Sequence, residues 1–209
     1  MLKRRGFLAA ISGVALLVMS AASPVLASKL EDKSSAFITS LTEKAISSLT
    51  AENADRNQRI KLFRAMFNEN FAVRSIGKFV LGRYWNRASE EERREYQALF
   101  EDLMIVSYVD RFTQYAGEKL RVQKARGENE TTATIFTLIE RPGGAKAIRV
   151  NWRVGTNGTI FKVLDVIVEG TSMSITLKSD FASIIRRKGG KVAGLIEELR
   201  TKTAELKAK

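Results

Sequence analysis

Two acidic side chains, Asp165 and Glu169, are the residues of this chain best placed for acid–base chemistry. They are four residues apart in a segment whose alternating pattern predicts a β-strand, so both side chains point to the same face. An enzyme site without histidine could use Asp165 with Tyr84 or Tyr108 as its partner. The alternative is structural, with the carboxylates tying the strand end to Ser172 or to nearby backbone amides. We expect the structural role.

The chain contains no histidine and no cysteine, which narrows the chemistry further. These absences remove the commonest general base, the thiolate nucleophile and the usual ligands of zinc and copper. Gly189-Gly190-Lys191 lacks the rest of a phosphate-binding P-loop and is predicted as a turn. We therefore expect no enzyme activity, no metal and no cofactor.

Residues 1–27 have the anatomy of a signal peptide. Lys3, Arg4 and Arg5 form a positive start, an apolar run covers residues 8–19, and small residues precede position 28. The run is too short to span a bilayer. The segment Arg4-Arg5-Gly6-Phe7-Leu8 also resembles a twin-arginine export signal, the alternative being an ordinary signal with two arginines. We expect export to the periplasm.

Residues 28–209 are enough for a single domain with its own core, and they contain no stretch long enough for a transmembrane helix. The whole chain carries a formal net charge of +12. Such a charge suits anionic lipid headgroups, membrane surfaces or nucleic acid equally. Export argues against nucleic acid, so we expect none as a partner.

The first half of the domain has the periodicity of helices. Two helical faces with spacings near 3.6 residues are Ile38, Leu41, Ala45 and Leu49, then Ile60, Phe63, Phe67 and Phe71. Asn53 or Asp55 could cap the second of these helices, and a short third one covers residues 73–81. Ser89 and Glu92 form a capping box at the start of a long helix predicted to reach about Tyr115. The apolar residues of this long helix cover so much of its surface that it needs apolar neighbours on two sides.

The second half has the alternation of strands. Residues 120–126, 131–140, 147–154 and 159–169 predict a four-stranded antiparallel meander, separated by turns rich in glycine. Ser179 is predicted to cap a helix that ends before Gly189-Gly190, and a last helix covers about 192–206. The predicted fold class is α+β, with N-terminal and C-terminal helices packed on the sheet.

Two long runs of residues resemble one known family. The first is GKFVLGRYW at residues 77–85, followed by SEEER at 89–93 and by Tyr96. The second is DVIVEGTSM at residues 165–173, followed by SDF at 179–181. Both runs, in this order, resemble the MlaC family of periplasmic lipid carriers, once called toluene-tolerance proteins. The resemblance extends from about Phe37 to Arg200.

The resemblance implies a carrier, expected to be a monomer, that moves phospholipid between an outer-membrane lipoprotein complex and an inner-membrane ABC transporter complex. One subgroup of the family is associated with hopanoid metabolism, and the sequence leaves the choice of subgroup open. Each methylene removed from water contributes ~0.8 kcal/mol, so two acyl chains amount to roughly 20 kcal/mol. Holding them requires an enclosed apolar pocket, which a curved sheet closed by broad-faced helices can supply.

On that implication, we select large apolar residues as contacts for the lipid tails, the alternative for each being plain core packing. They are Phe79, Tyr84, Trp85, Phe100, Met104, Tyr108, Phe112, Phe136, Val150, Trp152, Val154, Val166, Val168 and Met173. Guanidinium groups pair with phosphate through a forked geometry, so the candidates for headgroup binding or docking are Arg83, Arg149 and Arg153. The alternative for these three is a solvated basic face.

Two other functions remain open on the sequence. A histidine-free enzyme on a cone-shaped α+β fold would turn over a small hydrophobic substrate in a pocket too small for two acyl chains. A basic adaptor would bind membranes or anionic polymers through its exterior, with steep salt dependence and no co-purified lipid.

Overall fold

The computed structural model describes residues 24–50 and 55–208. The predicted signal peptide lies outside the described residues except for its last four positions, whose backbone begins the first helix. The helices are α1 (Pro24–Leu49), α2 (Arg56–Asn70), α3 (Val73–Leu81), α4 (Glu90–Tyr108), α5 (Met173–Arg187) and α6 (Val192–Lys207). None of the described helices is both long enough and apolar enough to cross a bilayer.

The strands form one antiparallel meander in the order β1-β2-β3-β4-β5. Their bounds are β1 (Lys119–Asn129), β2 (Thr132–Glu140), β3 (Ile148–Thr156), β4 (Phe161–Val168) and β5 (Thr171–Ser172). The predicted α+β class is thus confirmed, and the four predicted strands are joined by a short fifth strand, β5.

Local signals in the sequence set the starts of two helices. The Ser89 hydroxyl accepts a hydrogen bond from the Glu92 amide at 3.1 Å, and the Ser89 amide donates to the Glu92 carboxylate at 2.8 Å. This reciprocal pair is the predicted capping box of α4. Asp55 and Gln58 form a second capping box at the start of α2, so Asp55 acts as that helix's cap.

Two helix boundaries differ from the prediction. The long helix α4 ends at Tyr108 rather than near Tyr115, and residues 109–114 form a 3₁₀ helix. Asp110 in this tighter segment is held by two hydrogen bonds from Arg56 of α2, at 3.0 and 3.2 Å. The helix predicted to begin at Ser179 begins at Met173 instead, capped by Ser172, whose hydroxyl accepts from the Ile175 amide. Ser179 lies in the middle of that helix.

The interior is divided into two apolar clusters. One is helical and is built around α4 with α3, α5 and α6, and it contains Tyr96, Phe100 and Ile105. The other lies where α1 covers β1 and β2, and it contains Ile38 and Ile135. A domain that closed around one filled core would bring the clusters together, whereas here an apolar cavity lies between them.

Candidate functional site

An apolar cavity of about 270 Å³ lies between the helical cluster and the sheet cluster. Phe63 and Phe71 border it and pack against both clusters, so these two rings mark the boundary at which the cores separate. Nearly all of the exposed lining surface of the cavity is apolar. Its volume is near the lower end of the range found for small-molecule pockets.

The helical wall of the cavity is made by side chains spaced four residues apart. On α2 these are Phe63, Phe67 and Phe71, where Phe71 is the residue that ends the helix. On α4 the stripe is Phe100, Met104 and Tyr108. Residues four apart lie one above the other on a helix, so each stripe faces the cavity along two turns.

Aromatic rings pack against one another along this wall. The centroids of Phe67 and Phe71 are 4.7 Å apart with the rings tilted by 39°, and those of Phe63 and Phe112 are 5.3 Å apart with the edge of one ring on the face of the other. Ring pairs at such distances are favourable beyond the apolar area that they bury. Met173 and Leu177 of α5 and Ile76 of α3 complete the helical side.

The sheet wall depends on a β-bulge in β4. Arg153 pairs with Asp165 and Val154 pairs with Val163, so Leu164 has no partner on β3. A bulge re-aims the side chains beside it. As a result three consecutive residues, Leu164, Asp165 and Val166, all line the cavity, where a regular strand would present only alternate ones.

Among the residues that the structure describes, Asp165 is the one carboxylate that lines the cavity, and its hydrogen bonds hold the fold together. One oxygen accepts from the backbone amides of Val166 and Ser174 at 2.9 and 3.1 Å, and the other accepts from the Ser172 hydroxyl at 2.5 Å. The carboxylate thereby fastens β4 to the first turn of α5. The predicted structural role of Asp165 is confirmed by these bonds.

Glu169, the second acid of the proposed pair, lies away from the cavity. Its carboxylate accepts from the backbone amide of Arg149 at 2.6 Å and from the Arg149 guanidinium at 3.0 and 3.2 Å. These bonds, the backbone one first, hold the pKa of Glu169 below its ordinary value. Asp165 and Glu169 therefore do not share a reaction centre.

Seven of the fourteen residues selected from the sequence for tail contact line the cavity: Phe100, Met104, Tyr108, Phe112, Trp152, Val166 and Met173. The Trp152 indole N–H donates to the Thr137 hydroxyl at 3.2 Å, which holds the ring in place on β3. Nine more residues complete the lining around them, and the cavity stripe on α2 provides three of these.

The other seven selected residues lie elsewhere. Tyr84 is buried among the helices, Trp85 packs on their outer side between Lys78 and Arg93, and Phe79 is 46% exposed on α3. Phe136 points to the opposite face of the sheet, where Lys124 and Arg126 cover its ring. The remaining three are strand residues outside the lining: Val150 and Val154 of β3, and Val168 of β4.

The three arginines selected from the sequence do not line the cavity. Arg149 is paired with Glu169, Arg153 is paired with Glu128 at 2.8 Å, and Arg83 donates to the Tyr84 hydroxyl at 3.2 Å. Arg111, in the 3₁₀ helix after α4, is the basic residue in the described lining. It is exposed and forms no ion pair within the part of the chain that the structure describes.

Arg111 stands close to the phenol of Tyr108. Burial raises the pKa of Tyr108 above its ordinary value, and the positive charge of Arg111 opposes that rise. Because Arg111 is exposed while Phe67 and Phe100 are buried, it marks the outer end of the cavity. The cavity therefore has an apolar interior with one basic residue, Arg111, at its exposed end.

Known proteins are similar to this chain in structure and in sequence. A phospholipid-binding protein from Ralstonia solanacearum, solved in complex with a phospholipid, superposes with a TM-score of 0.74 at 20% identity, over 83% of this chain and 98% of that one. The intermembrane phospholipid transport system binding protein MlaC of Haemophilus influenzae is 27% identical over 116 residues. That match spans about half of each chain, 54% of this one and 54% of the relative. The family model of the MlaC protein matches residues 39–201, and since this is most of the chain, the chain belongs to the MlaC family.

Proposed function

We propose that this chain is a periplasmic phospholipid carrier that holds acyl tails in the cavity between the sheet and the helices. It would load and release lipid at an outer-membrane lipoprotein complex and at an inner-membrane ABC transporter complex. The observation that carries the proposal is the apolar cavity between two separate cores. Membership of the MlaC family supports it, as does the similarity to the intermembrane phospholipid transport system binding protein of Haemophilus influenzae.

The size and chemistry of the cavity favour hydrocarbon over water. Protein interiors are close-packed and contain few voids larger than a water molecule. A permanently empty apolar cavity costs about 24 cal/mol per Å³, which for about 270 Å³ is up to about 6 kcal/mol. That cost is comparable to the whole stability of many domains. An apolar ligand removes it, whereas water would find almost no polar partners on these walls.

Arg111 is our candidate for the residue that binds the lipid phosphate. A phospholipid has an anionic phosphate directly above its tails, and Arg111 lies at the exposed end of the lining. Its guanidinium has no carboxylate to compete with phosphate among the described residues, unlike Arg149 and Arg153. A charge-assisted hydrogen bond to phosphate contributes about 1.5–3 kcal/mol.

The direct test is lipid extraction and mass analysis of the purified chain, with transfer of labelled phospholipid from donor to acceptor vesicles as the functional readout. The carrier proposal expects phospholipid bound to the wild-type protein. Arg111→Gln should weaken retention roughly tenfold to a hundredfold, following from the value of a charge-assisted bond. Arg149→Gln is the matched control and should retain lipid normally, because its guanidinium is paired with Glu169.

Two results would count against the proposal. Protein that carries no phospholipid and transfers none would refute the carrier function itself. Equal loss of lipid from the Arg111 and Arg149 variants would refute only the assignment of the phosphate contact.

A further inference from the structure

Three exposed arginines surround Tyr84, a buried residue of the 3₁₀ helix Gly82–Arg87 that follows α3. The Arg83 guanidinium carbon lies 5.1 Å from the centroid of the Tyr84 ring, and that of Arg87 lies 5.6 Å from it. Arg186 approaches from α5. The hydrogen bond from Arg83, together with the positive charges of Arg83, Arg186 and Arg87, lowers the pKa of the Tyr84 phenol.

This arginine cluster is not neutralised within the described part of the chain. Arg83, Arg87 and Arg186 form no ion pair with any described carboxylate, whereas Arg149, Arg153 and eight other basic residues do. Asp180, the acid on α5, is two residues from Lys178 and so lies roughly 160° away around the helix. Like charges held together without a counter-charge repel one another, and an anion from outside the chain relieves that repulsion.

Two exposed apolar side chains border the arginine cluster. Phe79 of α3 is 46% exposed and Ile175 of α5 is 60% exposed. Lys178 connects them, because its ammonium lies 4.3 Å from the Phe79 ring and it stands one turn after Ile175. Ile175 and Arg186 are eleven residues apart, three turns of helix, and therefore share one side of α5.

Together these residues make one continuous surface, the α3–α5 face, formed by Phe79, Arg83, Arg87, Ile175, Lys178 and Arg186. Lys178 also lies across Gly82, where an added Cβ would come within 2.9 Å of the lysine Cε. The same two helices also line the cavity, through Ile76 and Leu177. On α5 the cavity residue Leu177 lies roughly 160° around the helix from Ile175, so the face and the cavity use different sides of that helix.

We infer that the α3–α5 face docks the protein onto a bilayer surface rich in anionic phospholipid. The charge complementarity comes from three unpaired guanidinium groups and one ammonium. The exposed Phe79 and Ile175 favour a bilayer over an acidic protein, because isolated apolar side chains beside basic ones insert at the boundary of headgroups and acyl chains. Docking this face sets the cavity-bearing helices directly against the membrane.

Flotation of the lipid-loaded full chain with vesicles tests the inference. Vesicles of equal parts phosphatidylglycerol and phosphatidylcholine should bind the wild-type protein at low salt and release it at high salt, and vesicles of phosphatidylcholine alone should not bind it. Each arginine lost from an anionic surface lowers the partition coefficient about fivefold, so the pair Arg83→Gln and Arg186→Gln should lower it roughly 30-fold. Replacing Phe79 and Ile175 by serine should lower the partition coefficient by the same factor at every salt concentration at which binding is still measurable.

The matched control is the pair Arg121→Gln and Arg126→Gln on β1, at the sheet edge farthest from β4 and β5. This pair removes the same charge and should leave vesicle binding nearly unchanged. An equal loss in both pairs would show a response to net charge alone and would overturn the inference. Absence of binding to anionic vesicles, or binding only when an acidic protein partner is supplied, would overturn it too. Lipid extraction on every variant distinguishes a failure of the docking inference from a failure of the carrier proposal, because docking-defective protein should still hold phospholipid.

Discussion

Replacing Met104 by tryptophan should have opposite effects on stability and on lipid content. Met104 lies on α4 with its side chain on the cavity, and the next residue, Ile105, is fully buried in the helical cluster away from it. Ile105→Trp is therefore a control at an adjacent position of the same helix. Both positions are buried, so the two variants differ mainly in whether the added ring meets open space or packed atoms.

The expected magnitudes follow from the two environments. At Met104 the indole buries roughly 60 Å² of extra apolar surface in the cavity, which at about 25 cal/mol/Å² stabilises the lipid-free protein by about 1.5 kcal/mol. At Ile105 the same ring meets a filled core, and overpacking costs about 1–3 kcal/mol. In the cavity the ring displaces about three lipid methylenes at ~0.8 kcal/mol each, which weakens lipid binding roughly 60-fold.

Denaturant unfolding of the delipidated proteins measures the first effect, and mass analysis of extracted lipid measures the second. The account expects Met104→Trp to be more stable than wild type and depleted of lipid. Ile105→Trp should be less stable, with lipid retained by whatever fraction stays folded. If Met104→Trp is destabilised as much as Ile105→Trp and holds lipid normally, the interior at Met104 is filled and the reasoning is wrong.

Three further substitutions and conditions give separate tests. Trp152→Asp puts a carboxylate in the apolar wall and should abolish lipid retention, as judged by extraction of the folded fraction. Asp165→Ala should cost about 1–3 kcal/mol in denaturant unfolding by leaving the partners of its carboxylate unpaired, while Asp165→Asn should recover most of that loss. Burial alone would raise the pKa of Asp102, but hydrogen bonds from Lys207 and Arg64 lower it overall. The ionised Asp102 carboxylate therefore stabilises the fold above the unfolded pKa of about 3.9, and this contribution is lost as pH falls through the lower folded pKa. The wild type should therefore lose more stability between mildly and strongly acidic pH than Asp102→Asn does.

Features that depend on a few residues close together in the sequence were predictable from it. The capping box at Ser89, the four long strands and the break at Gly189-Gly190 each depend on local spacing or turn chemistry, and the structure contains all of them. The start of α5 was not predictable in this way. Both Ser172 and Ser179 are followed by residues that suit a helix. The choice is made by Asp165 at the end of the preceding strand, which binds the Ser172 hydroxyl and the Ser174 amide, and the sequence offered this contact only as one alternative.

Only half of the residues selected from the sequence line the cavity, for a related reason. The period of the aromatic residues on α2 was visible in the sequence, but it could not reveal whether that face meets a core or a cavity. The bulge that turns Leu164 toward the cavity arises from strand pairing and leaves no local signal. Arg111 could not be identified from the sequence, because its neighbours in the chain do not distinguish it from other surface arginines. Its place at the cavity depends on the 3₁₀ helix that follows α4 and on the hydrogen bonds that hold Asp110 there.

The most direct measurement is photo-cross-linking with a phosphatidylglycerol that carries a photoactivatable group midway along an acyl tail. After loading and irradiation, mass spectrometry of peptides locates the attachment. The account predicts attachment to cavity residues such as Phe67, Met104 and Leu164. Attachment confined to exposed residues such as Phe79 and Ile175, or no attachment to loaded protein, would contradict the claim that hydrocarbon enters the space between the two cores.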